Sequence, residues 1–576
     1  MKAVAVAAVV LAYVSALAFA SAAEAQPGPA WTAGAQYPLP AGVAAAQSEI
    51  LYQAGGTATL AYLQTTSTSP LQTVLHVGTI APGAGYQQQT AVSSTSTSIP
   101  VGFALAVAPS GAAVLEWSVL EGSDPASAPL TYLASYRAAG AAAWGAPVTL
   151  ATDAAQVSGI APQLAPAISP DGTAAAAVDH VDPTLSPAGY RIDVATHAAG
   201  AGAAWGAPAQ LAAGSAESAE NVTLAYDASD DLTAAYDLRL SGEDAYTVGD
   251  QLLPAGSQTW GPFEEIAGSA PSDSAGPPQL AVAPDGSAVL SFAYAPVGSA
   301  QSGEAEAVTR SGATGAWSAP AALTPGASAS SPVAAGISPA DIAYVLLSES
   351  TPDGGSCAGV VSGPAAAGFT PPQCLSTTDI GPSLSGGVAF IGSDAYFAWS
   401  GPQSASGADV VEGASWPASA AGPGSPTDLT APASGLTLQR LVSDGDGSVA
   451  AFWTGAAGGA LDAAAFDAGG PVFIAADVPS RVDVDDDVDF NVTCADLWSG
   501  LEGLPTWNFG DGTAPLVGAQ VAHAFIHTGT YTVTVTASDR LGNTSSASFP
   551  VVVEPAPPPK AKHKHKAKLR RTISFT

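Results

Sequence analysis

LAVAPDGSAVLSFAY, residues 280–294, is two apolar runs hinged on an Asp-Gly pair. Apolar residues alternate or mass on both sides of the turn, as in two adjacent buried strands joined by a tight hairpin. The pattern returns in LAVAPSGAAVLEW (105–117), LAPAISPDGTAAAAV (164–178) and LVSDGDGSVAAFW (441–453). Weaker copies are LYQAGGTATLAYL, LAYDASDDLTAAYDL, GISPADIAYVLL and VAFIGSDAYFAW. Together they make eight hairpins about 55 residues apart.

A second element alternates with the first: an aromatic residue, often a proline soon after, then a short aliphatic strand. It opens at Trp144 (WGAPVTL), Trp205 (WGAPAQL), Trp260 (WGPFEEI) and Trp317 (WSAPAAL), with looser copies at Tyr86, Phe369 and Trp416. The last hairpin has no copy after it, but WTAGAQYPL (31–39) stands before the first. Eight aromatic elements therefore precede eight hairpins, offset by half a unit. A linear array needs capping units, whereas a ring can complete its last unit with a strand from its beginning. Units of this length with four short strands fit propeller blades. Over residues 31–470 the chain resembles secreted bacterial β-propeller proteins of sialidase-like or WD40-like architecture, by rhythm rather than by a diagnostic motif. The expected fold is all-β: a seven- or eight-bladed propeller over 26–470, followed by a sandwich.

That sandwich is signalled by WNFGDGT (507–513) and by GTYTVTVTASD (529–539). In the latter, Tyr531, Val533, Val535 and Ala537 share one face of a strand and four threonines the other. Residues 471–554 resemble a PKD (polycystic kidney disease) domain through Trp507, Phe509, Gly510, Asp511, Gly512, His523, Phe525, Gly529, Tyr531, Val533 and Val535. The resemblance implies an Ig-like fold, in which Trp507 and Phe509 enter the core and Asp511 accepts hydrogen bonds from its turn. WNFGDGT is then a β-corner, not a phosphate loop or an active site. PKD domains of extracellular proteins contact protein or polysaccharide, or act as spacers. The acidic run DVDDDVD (483–489) could hold Ca²⁺, but alternate acids on a strand face opposite ways, so a solvated edge is expected and no cofactor is assigned.

Charge narrows the function. Lys+Arg number 15 against 48 acids, for a net charge of −33. Apart from Lys2, lysine is confined to the basic tail KAKHKHKAKLRR that follows the Pro-rich 555–559. An acidic body repels nucleic acid and anionic lipid. The tail of 555–576 is expected to be extended and disordered, and suits an anionic envelope polymer. Residues 1–25 read as a secretory signal, leaving no transmembrane span in the mature chain. A secreted or cell-surface bacterial protein is expected, in which Cys357 and Cys374 pair as a disulfide and leave Cys494 over.

No catalytic or metal constellation emerges. SPDGT (169–173) departs from the sialidase Asp-box because Gly172 directly follows Asp171 and no tryptophan follows Thr173. Arg137, Arg191, Arg239, Arg310 and Arg440 take no constant place in the unit, so an arginine clamp for an acidic sugar has no support. His76, His180 and His197 are too scattered for a metal cluster. VDHVD (178–182) suggests a general base at His180, but reads better as a surface loop. The favoured function is non-catalytic recognition or adhesion toward extracellular protein or polysaccharide. The alternatives are a carbohydrate-active enzyme (glycosidase or sialidase-like) and a structural spacer.

Overall fold

The computed structural model describes residues 29–556 except 38–46, 69–70, 85, 94–97, 123–127, 154–162, 183–188, 212–216, 241–245, 269–272, 297–302, 313–314, 326–329, 351–355, 365–367, 377–383, 404–406, 446 and 456–460. The expected signal segment and basic tail lie outside these residues. Two compact units result: Met1–Gly469 with Leu497–Ser499, and Gly470–Asp496 with Gly500–Thr576.

The first unit is an eight-bladed propeller. Each blade is an antiparallel meander whose strands run in chain order from A, innermost, to D, outermost. Blade 2 is Ile99–Val107, Ala113–Leu120, Leu130–Arg137 and Val148–Asp153; blade 3 is Leu164–Ile168, Ala174–Asp182, Gly189–His197 and Ala209–Leu211. Strands B and C are packed between neighbouring blades on both faces, which explains their nearly unbroken apolar runs. Ala174, Ala175, Ala176 and Ala177 are all fully buried, because small side chains let the blades approach closely. D strands are short outer edges, where the prolines of the Trp elements are tolerated.

The A–B turns share one geometry except in blade 7, where Ile391 pairs with Asp394 across a two-residue turn. In blade 3, Ser169 N–H donates to the Thr173 carbonyl and Gly172 N–H to the Ser169 carbonyl. Gly172 sits at φ 100, and Asp230 and Asp341 take the equivalent left-handed place at φ 67 and 58. This is why the hairpins of blades 4 and 6 lack glycine there: aspartate tolerates that conformation.

Ring closure follows the offset in the sequence. Blade 8 is Thr437–Ser443, Val449–Thr454 and Leu461–Asp467, and its outer strand is Ala30–Trp31, with Trp31 opposite Phe466. Ala35–Gln36 adds to the same strand; Pro38 and Leu39 lie outside the described residues. Ile50, Leu60 and Tyr62 of blade 1 share a core with Ala450 and Phe452 of blade 8.

Two buried arginines correct the expectation that none recurs in the unit. Arg137 and Arg310 both end a C strand, and each guanidinium lies over the tryptophan seven residues on, 5.2 Å from Trp144 and 4.9 Å from Trp317. Each also reaches back one blade: Arg137 Nη2 donates to Thr59 Oγ1 at 3.0 Å, and Arg310 Nη2 to Thr233 Oγ1 at 2.8 Å. They bind blade to blade.

The second unit is a sandwich. One sheet holds Val472–Asp477, Val488–Ala495 and Gln520–His523; the other holds Arg481–Asp483, Thr544–Glu554, Gly529–Ser538, Thr506–Asn508 and Leu516–Val517. Trp507, Phe509, Phe490, Phe525, Val533 and Val535 meet between them.

Candidate functional site

The motif residues of the sandwich are structural in their contacts. Trp507 is fully buried and its Nε1 donates to the Gly518 carbonyl at 3.0 Å. Phe509 stacks on His523 with centroids 3.8 Å apart, and Phe525 stacks on Tyr531. Gly510 and Gly512 take φ 73 and 87, and a side chain on Gly510 would strike the Thr532 carbonyl. Gly529 begins the strand that carries Tyr531. Asp511 accepts from Thr513 N–H at 3.0 Å, Thr513 Oγ1 at 2.6 Å and His523 Nε2 at 2.8 Å. Burial works to raise its pKa, but these donors outweigh it and hold the carboxyl below its usual range. Among the described residues no three carboxylates of the 483–489 run converge on one point.

His180 is not on a surface loop. It lies inside strand B of blade 3 and is 2% exposed. The polar residues of VDHVD face the adjoining blades, His180 toward blade 2 and Asp179 toward blade 4. His180 Nδ1 meets Asp153 Oδ1 of blade 2 at 2.8 Å, and Nε2 meets Asp193 Oδ2 on the neighbouring strand at 2.9 Å. Tyr132 donates to the other Asp153 oxygen at 3.0 Å, and Arg191 Nε lies 3.3 Å from Asp193. Burial opposes a charge on the imidazole, but the two carboxylates outweigh it and raise its pKa. With both ring nitrogens engaged, His180 has no lone pair to offer a substrate as a base.

A wider polar cluster grows from this clamp. Asp179 Oδ2 accepts the backbone N–H of Asn221 at 2.9 Å, and Asn221 Nδ2 donates to Asp237 Oδ2 at 2.8 Å. Asn221 occupies a bulge in strand A of blade 4, at φ 58. The Tyr246 hydroxyl is hydrogen-bonded to Glu220. One oxygen each of Glu220 and Asp237 is buried without a hydrogen-bond partner. Burial raises Asp179 and pushes Asp237 well above the usual carboxylate range. Glu116, fully buried and close to Asp179, is displaced the same way by burial.

The propeller itself shows what this position needs structurally. Seven residues after the left-handed turn position stand Ser118, Asp179, Asp237, Ser348 and Thr454 in blades 2, 3, 4, 6 and 8, and the apolar Leu63 and Ala293 in blades 1 and 5. In blade 7 the comparable task, capping a bulged N–H of the next blade, falls to Ser400, which accepts from Leu438 at 2.8 Å. A hydroxyl suffices. The acids of blades 3 and 4 exceed what the scaffold requires, and only superposing the units on one another would have exposed that from sequence. Sequence reasoning missed Asp153, Asp193, Glu220, Asn221, Asp237 and Tyr246, since three blades must fold together before they meet.

Cys357 and Cys374 are brought together on blade 6, with a hydrogen bond between the two side chains. Cys374 pairs in register with Gly359, two residues beyond Cys357, so the sulfurs meet on a diagonal. Cys494 belongs to the sandwich, where it is half-buried.

No helix long and apolar enough to cross a membrane occurs among the described residues. No curated protein matches the sequence. Solved structures resembling the chain include the Penicillium chrysogenum alpha-L-arabinanase complexed with arabinobiose (13% identity, 64% of this chain and 93% of that one, TM-score 0.34). Polysaccharide lyase Uly1 is similar over 65% of this chain and 94% of its own, at 12% identity and TM-score 0.35. The Hadza microbial sialidase Hz136 is similar over 63% and 73%, at 11% identity and TM-score 0.30. The PKD domain family model matches residues 470–553, so the sandwich that follows the propeller is a PKD domain.

Proposed function

We propose that this is an exported recognition protein that binds an extracellular polysaccharide or protein, and that the propeller supplies the specific site. The observation that carries this reading is the hydrogen-bonding surplus of blades 3 and 4. Glu220, Asp237, Tyr246 and Asn221 gather acceptors and donors where the scaffold needs only a hydroxyl. Carboxylates and tyrosines at close quarters suit the hydroxyl groups of a sugar chain. The engagement of both His180 nitrogens favours binding over catalysis. The PKD domain and the basic tail would then hold the protein in the envelope or matrix.

A second reading rests on the raised Asp237 and Asp179 beside Glu220. A pair of carboxyl groups is what glycoside hydrolysis requires. Binding of the full chain to a glycan array, alongside a panel of glycosidase substrates, separates the two. Binding that Glu220→Gln abolishes, without turnover, supports recognition. Turnover that the same variant abolishes supports hydrolysis, and silence in both assays removes each reading.

A further inference from the structure

Blade 6 carries a second chemical grouping, remote from blades 3 and 4. Its strands B and C, Ile342–Ser350 and Ser356–Pro364, place Glu349 directly opposite Cys357, and the short D strand Gln373–Cys374 places Cys374 opposite Gly359. Directly paired residues project to the same face of a sheet, as do alternate residues of one strand. Glu349, Cys357 and Cys374 therefore share one face, with the side-chain-free Gly359 among them. A methyl carbon at Gly359 would stand 2.9 Å from Glu349 Oε2, so the glycine leaves room for that carboxyl group. Cys374 is exposed and Cys357 is buried behind it. Cys374 Sγ also lies 3.8 Å from both the carbonyl oxygen and Oγ of Ser376.

We infer that Cys374, Cys357 and Glu349 form a thiol–disulfide exchange site, with Cys374 as the attacking thiol and Cys357 as the resolving one. The substrate is a small-molecule or protein disulfide. The Cys374 thiolate attacks one sulfur of R–S–S–R′, forms a mixed disulfide with R and expels R′–S⁻. The Cys357 thiol then passes its proton to the Glu349 carboxylate while its sulfur attacks that of Cys374, expelling R–S⁻. The pair loses two electrons and ends as a disulfide, and the substrate gains them as two thiols. Supporting electrostatics run the right way: the hydrogen bond from Cys357 is the main influence drawing the Cys374 thiol down to about 7. Burial raises the Glu349 carboxyl, which makes it a better proton acceptor. Glu349 also borders a cleft of about 450 Å³ walled by Leu323, Phe369, Pro371 and Pro372, where an apolar group beside the disulfide can lodge.

The test uses the full chain, reduced, desalted and exposed to glutathione disulfide, with acid quenching and mass analysis of each cysteine. Wild type should release two glutathiones and finish as the Cys357–Cys374 disulfide. Cys357→Ser should stop at one glutathione on Cys374, and Cys374→Ser should react at least roughly tenfold more slowly. Cys494, a thiol whose pKa burial raises, is the internal control. Glu349→Gln should slow the second release relative to the first, with loss of the second step's pH dependence. Reaction of Cys374 no faster than Cys494 overturns the site. So does a pair that is isolated oxidised and stays oxidised in reduced glutathione, which would make it a static staple. A Glu349→Gln variant with normal second release overturns the carboxyl's part.

Discussion

The Arg310 guanidinium lies 4.9 Å from the ring of Trp317, and the same pairing holds Arg137 to Trp144 in another blade. Arg310 also faces Asp250 of the preceding blade at 3.5 Å, with both side chains buried. Burial raises the Asp250 carboxyl to about 6 despite the opposing arginine. Arg310→Met should destabilise the propeller by about 3–5 kcal/mol, because it strands Asp250 without its counter-ion. Adding Asp250→Asn should recover part of that loss. Chemical denaturation of the three variants measures both effects, and equal stability of single and double variants would show that the ion pair is not coupled.

Ring closure gives the second prediction. Trp31 lies against blade 7 as well as blade 8: a methyl carbon at Gly413 would stand 2.7 Å from its ring. Gly413→Val should displace the indole and cost about 1–3 kcal/mol. Deleting residues 26–40 should do more, since it leaves the C strand of blade 8 as an open edge. Thermal unfolding of both variants checks this, and an unchanged transition in the deletion would separate closure from stability.

The His180 clamp predicts a pH dependence with a definite sign. The folded-state pKa is raised above the ordinary 6.5. Its contribution is therefore complete below that value and is lost as pH rises through the folded-state pKa. His180→Gln should flatten this part of the stability–pH profile on the alkaline side of 6.5. Denaturant midpoints measured across pH 5–9 decide it (about the range over which histidines titrate). A variant that retains the full slope would place the titration elsewhere.

For the PKD domain, residues 470–556 expressed alone should melt cooperatively. Trp507→Ala should remove about 3–5 kcal/mol, comparable to the stability of a small domain. Asp511→Asn should cost less, since its remaining oxygen still accepts from the Thr513 amide and hydroxyl. Near-normal stability of Trp507→Ala would contradict its burial.

Legibility in the sequence followed the range of the interactions. Hairpins such as 280–294 were readable because apolar periodicity and a turn residue lie within fifteen positions. Trp31 was readable as a displaced strand because its element repeats elsewhere in the chain. The PKD corner was readable because its core aromatics and turn glycines are nearly consecutive. Asp153, His180 and Asp193 were not, since their meeting requires one blade to pack on the next. Arg137 and Arg310 fell between these cases. Their seven-residue spacing to tryptophan was visible in the sequence, but with only two examples the pattern passed for scatter.

The pairing of Trp31 with Phe466 also fixes an order of events. A ribosome makes residue 31 more than four hundred residues before the strand that it must join. Every intermediate blade can form as its own meander, but the last interface waits for nearly the whole chain. Until then one end of the array stays open and the first strand has nowhere to pair. The propeller is thus a structure whose last blade is completed by one of its first strands. Its final folding step is set by loop closure over the full length of the ring rather than by any local hairpin.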